Sequence, residues 1–291
     1  MMPKISILMP AYNAEKYISE ALESIRNQSY YDWETIIVDD CSSDATAEIC
    51  SEYAKKDDRI KFYKNDDNCG ISENKNRALL LASGKYIAFC DDDDVMQVDA
   101  LKDNIRLIET YDADLVRWSY KTIKMNEENL ITSEIERKCR DKVYLNREEM
   151  FGDYDNIHEL LSCDWTGLYR KSLLDEYHIT FNVNYRYGGE DTDFNIQVLK
   201  YVNSVVMNSK VYYNWYLRKR HSTTAKRNIN FCYTMMEVAE SEYNLLCNNQ
   251  KKEIWPAYAE FYKKLITDYA AGLYEDEKLK VLKKLKAEIW C

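Results

Sequence analysis

Four short apolar runs, each stopped by polar or acidic residues and followed by a segment of helical spacing, fill residues 1–110 and limit what this chain can fold into. Ile5-Ser6-Ile7-Leu8-Met9 is the first, a strand short and apolar enough to be buried on both faces and ended by Pro10. Asn13 is placed to cap the helix behind it, where Tyr17, Ile18, Ala21, Leu22 and Ile25 recur at three and four residues. Thr35 to Val38 is the second strand and runs into Asp39-Asp40; Ser42, Ser43 or Asp44 then caps a helix carrying Ala47, Ile49, Cys50, Tyr53 and Ala54. Ile60 to Tyr63 is the third, followed by a helix over Glu73 to Ala82 with Gly84 as its C′ residue. Tyr86 to Cys90 is the fourth and delivers Asp91 to Asp94 ahead of a helix near Val98 to Glu109. This alternation predicts an α/β fold, a Rossmann-like, mostly parallel sheet flanked by helices. Right-handed crossovers then bring the polar residues behind all four strands to one sheet edge, where such folds bind ligands.

Past Asp112 the rhythm loosens. Leu115 to Tyr120 and Val211 to Tyr216 read as strands, and Arg147 to Tyr154 and His158 to Cys163 as helical. Further helices are expected from Ser172 and behind Gly188-Gly189. From Ile229 onward the spacing is helical, broken at Pro256 and near Gly272. The organisation expected is a ligand-binding half over 1–110, a second half of the same domain over 111–227, and a C-terminal helical region over 228–291.

Composition removes several alternatives. A net charge of −10 argues against general nucleic-acid binding. Seven glycines, no two of them separated by a single residue, leave no GxGxxG, GxxxxGK or GxSxG fingerprint. Nine cysteines without a CxxC pair, and three histidines without HExxH, offer no local zinc site. An odd cysteine count with no leader ahead of Lys4 fits a reducing cytoplasm. No apolar run approaches the ~20 residues of a membrane span.

The chemistry-bearing groups lie behind the strands. Four consecutive carboxylates at Asp91 to Asp94 repel one another, and a divalent cation relieves that repulsion. Oxygen-only ligands on a short turn suit Mn²⁺ or Mg²⁺, with Asp91 and Asp93 facing one ion and Asp92 facing elsewhere; acids decorating a helix N-terminus are the plainer alternative. Asp39 and Asp40 are either ligands or helix caps. Tyr12 offers a flat ring, and Lys75 and Arg77 lie where a helix start could meet a phosphate. Glu190-Asp191, behind a glycine pair, present a candidate general base. Arg218-Lys219-Arg220-His221-Ser222 gather donors able to clamp a diphosphate.

Taken in order, Pro10-Ala11-Tyr12-Asn13, Val38-Asp39-Asp40-Cys41-Ser42-Ser43-Asp44, the run from Cys69 to Phe89, Cys90 with its four aspartates, Trp165-x-x-x-Tyr169, Gly188-Gly189-Glu190-Asp191 and Arg218 to Ser222 form a series. It resembles the family-2 glycosyltransferases, inverting enzymes of GT-A fold, over about residues 4–227. The resemblance implies that Tyr12 stacks on a nucleobase, that Asp40 or Asp39 accepts from uracil, that Asp92 lies by the ribose, that Asp93 binds metal and that Asp191 is the base. The donor contacts expected are thus Pro10, Ala11, Tyr12, Asn13, Asp39, Asp40, Lys75, Asp91, Asp92, Arg218, His221 and Ser222. Asp191 and Glu190 are the catalytic candidates, and Trp165 and Tyr169 flank an acceptor sugar. Three residues depart from the family pattern: Cys41 for Gly, Asp92 for Ser, and Lys75 for an Arg whose planar contacts a lysine cannot reproduce.

The activity implied is transfer from a nucleotide-diphosphate sugar, a UDP-hexose or UDP-N-acetylhexosamine, to a glycan or lipid-linked glycan in bacterial surface polysaccharide synthesis. A haloacid-dehalogenase-like phosphatase with Asp91 as nucleophile is the rival, since the fourth strand also fits DxDx[TV]; that motif normally lies on the first core strand. A non-catalytic nucleotide-sugar binding module is the other. At the C-terminus, Leu279, Leu282, Leu285, Ile289 and Trp290 with five nearby lysines suit peripheral contact with the inner face of the plasma membrane, packing on the catalytic domain, or a second subunit.

Overall fold

The computed structural model describes residues 2–218 and 228–287. Its elements run β1 (Ile5–Ala11), α1 (Ile18–Arg26), β2 (Trp33–Asp39), α2 (Thr46–Lys56), β3 (Ile60–Lys64), α3 (Ile71–Leu81), β4 (Tyr86–Phe89), β5 (Val95–Met96) and α4 (Ala100–Thr110). There follow β6 (Leu115–Met125), β7 (Ile131–Arg137), β8 (Lys142–Tyr144), α5 (Arg147–Gly152), α6 (Tyr154–His158), β9 (Gly167–Arg170), α7 (Lys171–Glu176), α8 (Glu190–Leu199) and β10 (Val205–Leu217). Three helices close the chain, α9 (Ile229–Asn248), α10 (Trp255–Ala270) and α11 (Glu275–Ala287).

One sheet carries the molecule, in the order β3-β2-β1-β4-β9-β6-β10-β5, with β7 on β6 and β8 on β10. The first four strands are parallel, as their crossover helices require. β9 then runs antiparallel between β4 and β6, so strands from both halves of the chain share one ladder. β1 and β2 are buried at every position, which is why their sequences are mostly apolar rather than alternating, with Ser6 and Glu34 hydrogen-bonded to each other inside.

Three local expectations give way. The first strand runs through Pro10 to Ala11, because Leu8 turns its carbonyl to Cys90 and Pro10, two residues on, faces the same side beyond Phe89, where β4 has ended. No ladder bond is lost there. Asn13 does not cap α1; it is left-handed (φ 51°) and its side chain accepts from Ser43 N, fastening the loop behind β1 to the loop behind β2. Gly84 does not terminate α3 but lies against β1, where a Cβ would stand 2.5 Å from Ser6 N.

The C-terminal helices dock on the rest. Glu242 on α9, fully buried, accepts from Tyr154 Oη at 2.9 Å and Tyr262 Oη at 2.5 Å, joining α6, α9 and α10. Pro256 opens α10 instead of breaking a helix, its missing N–H being one no helix would use. Part of the C-terminal apolar stripe is spent on packing: α11 lies on α9 and α10, with Val281 fully buried and Leu285 against the core, while Leu279 is half-exposed. Ile289 and Trp290 lie outside the described residues. No helix among the described residues is long and apolar enough to cross a membrane.

Candidate active site

The ends of β1, β2 and β4 build one wall of a cleft. Tyr12 is half-exposed, and its backbone N–H donates to Asp92 Oδ2 at 2.8 Å, so the loop behind β1 is tied to the acidic turn behind β4. Asp40 is buried; its carboxylate accepts from Asn65 Nδ2 and from the N–H groups of Cys69 and Gly70, at 2.8 to 2.9 Å. It thereby shapes the loop that starts α3. Asp39, an expected donor contact, is fully buried and accepts from Ser42 N and Ser42 Oγ, which makes it the clasp of the turn behind β2. Pro10 and Ala11 are buried at the end of β1, leaving Tyr12 and Asn13 as the exposed members of that motif.

Asp91 to Asp94 occupy a turn before β5, not a helix N-terminus. Asp94 is fully buried and accepts from Tyr216 N at 2.8 Å, anchoring the turn on β10. Asp93 receives Arg218 Nη1 at 2.8 Å, and that guanidinium lies over the rings of Tyr17 and Tyr216. Burial pushes the Asp91 carboxyl up to about 6, against the pull of Lys75 and with the added push of Asp191 and Asp93. Burial and the charge of Asp93 raise Asp92 well above the usual carboxylate range, against the hydrogen bond from Tyr12.

The opposite wall forms around Lys75. This lysine on α3 is 1% exposed, with Nζ 2.6 Å from Asp191 Oδ1, 2.8 Å from Asp164 Oδ2 and 3.9 Å from Glu190 Oε1. Expected as a donor contact, it is paired here with carboxylates from the second half of the chain. Gly188 and Gly189, at φ 112° and 93°, turn the chain so that α8 starts with Glu190 and Asp191 facing this lysine. Glu190 is buried, and desolvation with the neighbouring Asp191 charge raises its pKa well above normal; Asp191 keeps about a fifth of its side chain exposed.

Asp164 and Arg117 were not singled out from sequence. Arg117, buried on β6, donates to Tyr169 Oη, Asn195 Oδ1, Thr166 Oγ1 and the carbonyls of Cys163 and Leu160, and so pins the turn that carries Asp164. The available signal was an acid inside an apolar and aromatic stretch, since a buried charge demands a partner. Trp165 and Tyr169 flank no cleft. Trp165 is 5% exposed and stacks on Tyr213 at 4.5 Å; Tyr169 is 1% exposed and donates to Asp164 O. Tyr169 is core because β9 lies inside the sheet, and Trp165, on the turn just before β9, packs among Tyr120, Tyr213 and Trp215. His221 and Ser222 lie outside the described residues.

The acidic turn fits a hard divalent cation. Its donors are all oxygens, and Asp91 Oδ1 is buried without a hydrogen-bond partner among the described residues. Among those residues no three His, Cys, Asp or Glu side chains surround a ready-made metal position.

Residues 6–178 match the family model for glycosyl transferase family 2, and the chain belongs to that family. Glycosyltransferase GlyA of Streptococcus pneumoniae serotype 4 is 30% identical over 223 residues, 74% of this chain and 31% of that protein. The Campylobacter jejuni GalNAc(5)-diNAcBac-PP-undecaprenol beta-1,3-glucosyltransferase is 28% identical over 280 residues, covering 93% of this chain and 86% of its own. The chain spans between 31% and 59% of the lengths of four of its curated relatives. The crystal structure of Staphylococcus aureus TarS 1–349 with UDP-GlcNAc superposes with a TM-score of 0.74 at 24% identity, over 97% of this chain and 80% of that one. The fold is of GT-A type, and the phosphatase reading of Asp91 is not favoured.

Proposed function

We propose that this chain transfers a sugar from a nucleotide-diphosphate sugar, a UDP-hexose or UDP-N-acetylhexosamine, to a hydroxyl of a glycan acceptor with inversion. One observation carries the reading: Asp191, a carboxylate with about a fifth of its side chain exposed, is held at 2.6 Å by Lys75, whose ammonium also feels the charge of Asp91 on the acidic strand-end turn. Asp191 Oδ1 is held by Lys75, and Oδ2 is the oxygen assigned to the acceptor hydroxyl. As the acceptor oxygen bonds to the anomeric carbon, its proton passes to Oδ2, and the bond to the diphosphate breaks with its electron pair leaving on phosphate oxygen.

Mn²⁺ or Mg²⁺ held by Asp91 and Asp93 would supply positive charge to the leaving diphosphate. Arg218, beside Asp93, adds a protein cation. Tyr12 is the exposed ring for the nucleobase, with Asp40 ordering the loop beside it. The UDP-GlcNAc complex of TarS supports a UDP-linked donor, and the undecaprenol-linked acceptor named for the Campylobacter protein supports a lipid-carried glycan. The exposed lysines of α11, Lys280, Lys283 and Lys284, support contact with anionic lipid at the cytoplasmic face of the membrane. The division into halves 1–110 and 111–227 assigns donor and acceptor to the two walls.

The test is a panel of nucleotide sugars with Mn²⁺, scored by UDP or GDP release and by thermal shift. Metal-dependent slow hydrolysis of one UDP-sugar supports the reading. Binding without any turnover points to a binding module, and phosphate release from simple phosphomonoesters would restore the phosphatase.

A further inference from the structure

Lys75, 1% exposed, is a charged group that the transfer step as written uses only as a neighbour. Lys75 Nζ lies 2.6 Å from Asp191 Oδ1 and 2.8 Å from Asp164 Oδ2, and 5.0 Å from the Phe181 ring that closes its other side. Asp164 is fully buried, and its second oxygen, Oδ1, has no hydrogen-bond partner among the described residues. A carboxylate left half-satisfied in the interior is costly. What it gains is a fixed ammonium, because Arg117 locks the turn carrying Asp164 through the carbonyl of Cys163 and the hydroxyl of Thr166.

We propose that Lys75 is a positioning residue of the transfer reaction: clamped from behind by Asp164, its ammonium fixes Asp191 Oδ1 and so aims Oδ2 at the acceptor hydroxyl. The proposal rests on Asp191 being the base. It assigns a chain of three side chains, Asp164 to Lys75 to Asp191, from three separate segments of the sequence, and only the last touches substrate. When Asp191 takes the acceptor proton it loses its charge, and Asp164 then retains the ammonium in place until the proton leaves. The role asks for a fixed positive charge, which the Lys75 ammonium supplies to carboxylates of two segments while its side chain stays buried.

The experiment measures steady-state UDP release from the best donor of the panel, with UDP affinity by calorimetry, for Lys75→Met, Lys75→Arg, Lys75→Met/Asp164→Asn and Asp191→Asn. Lys75→Met should lower kcat by ~10²-fold, the scale of a misaligned reacting group, with donor KM and UDP affinity unchanged. Lys75→Arg keeps the charge and should recover most of that loss. The double variant removes the buried pair together, so it should fold and bind UDP normally while turning over as slowly as Lys75→Met.

Wild-type kcat in Lys75→Met beside an inactive Asp191→Asn would overturn the proposal and leave the base assignment standing. So would lost UDP affinity at preserved kcat, which would return Lys75 to the nucleotide, or restored turnover in the double variant, which would reduce Lys75 to a counter-ion for Asp164. Full turnover in Asp191→Asn would overturn both the proposal and the base assignment.

Discussion

At the scale of single residues, the cleft is a problem of surplus negative charge. Asp91, Asp164, Glu190 and Asp191 all act on Lys75, and burial dominates the upward shift of Asp164 to about 8, with the charge of Asp191 adding to it. Protons retained by the most buried of these groups relieve part of that charge, and a cation on the acidic side relieves more of it. Asp93→Asn should therefore abolish most metal-dependent UDP affinity, read by calorimetry with Mn²⁺ and again with chelator; equal UDP binding under both conditions in the wild type would reject the metal assignment. Asp93 and Asp191 stand out in the sequence because each lies in a motif with local sequence context. The partnership of Lys75 does not, since its two partners lie 89 and 116 residues away and nothing local marks which carboxylate a buried lysine will meet. Trp165 and Tyr169 were misjudged for a related reason: an aromatic residue reads the same in sequence whether it lines a cleft or fills the core.

At the scale of elements, buried polar joints set the alignment of strands and helices. Arg117 holds five acceptors between β6, β9, α8 and the turn of Asp164. Arg117→Met should cost about 3–5 kcal/mol, as expected for a buried charged hub whose partners are left unpaired, and should lower the thermal midpoint and the urea midpoint together. A second joint centres on Glu34 of β2, which accepts from Ser6 on β1, from Ser83 beyond α3 and from Lys61 on β3. Burial pushes the Glu34 carboxyl upward, but these donors outweigh it and leave it below 4.5. A depressed carboxylate stabilises the fold above its unfolded pKa and loses that contribution as pH falls through the folded value. Glu34→Ala should thus cost about 1–3 kcal/mol at pH 7, and the gap to wild type should narrow as pH falls through the depressed folded value; a gap independent of pH would show that Glu34 acts by packing alone. The four βα units were legible because buried parallel strands are continuous apolar runs. β7 and β9 were not: β7 is almost wholly exposed at the sheet's margin, and β9 is four residues whose strand character comes from pairing with β4 and β6.

At the scale of the whole molecule, one ladder joins the acidic turn behind β4 to the lysine-held carboxylates at α8, and α9 closes over the turn between them. A Cβ on Gly189 would stand 2.8 Å from Thr234 Cγ2, so the C-terminal helices back the catalytic turn as well as extending the surface. Removing α11 by truncation after Glu275 should lower the thermal midpoint, since Val281 is fully buried, and should reduce salt-sensitive co-sedimentation with anionic vesicles at ~1 kcal/mol per lysine lost. Unchanged sedimentation with a lowered midpoint would assign α11 to packing alone. The central claim is a single displacement at the anomeric carbon with Asp191 as base, and its most direct test is stereochemical. Proton NMR of the sugar first released from an α-linked UDP-sugar, recorded before mutarotation, should show the β anomer; an α anomer as the first product would contradict the mechanism.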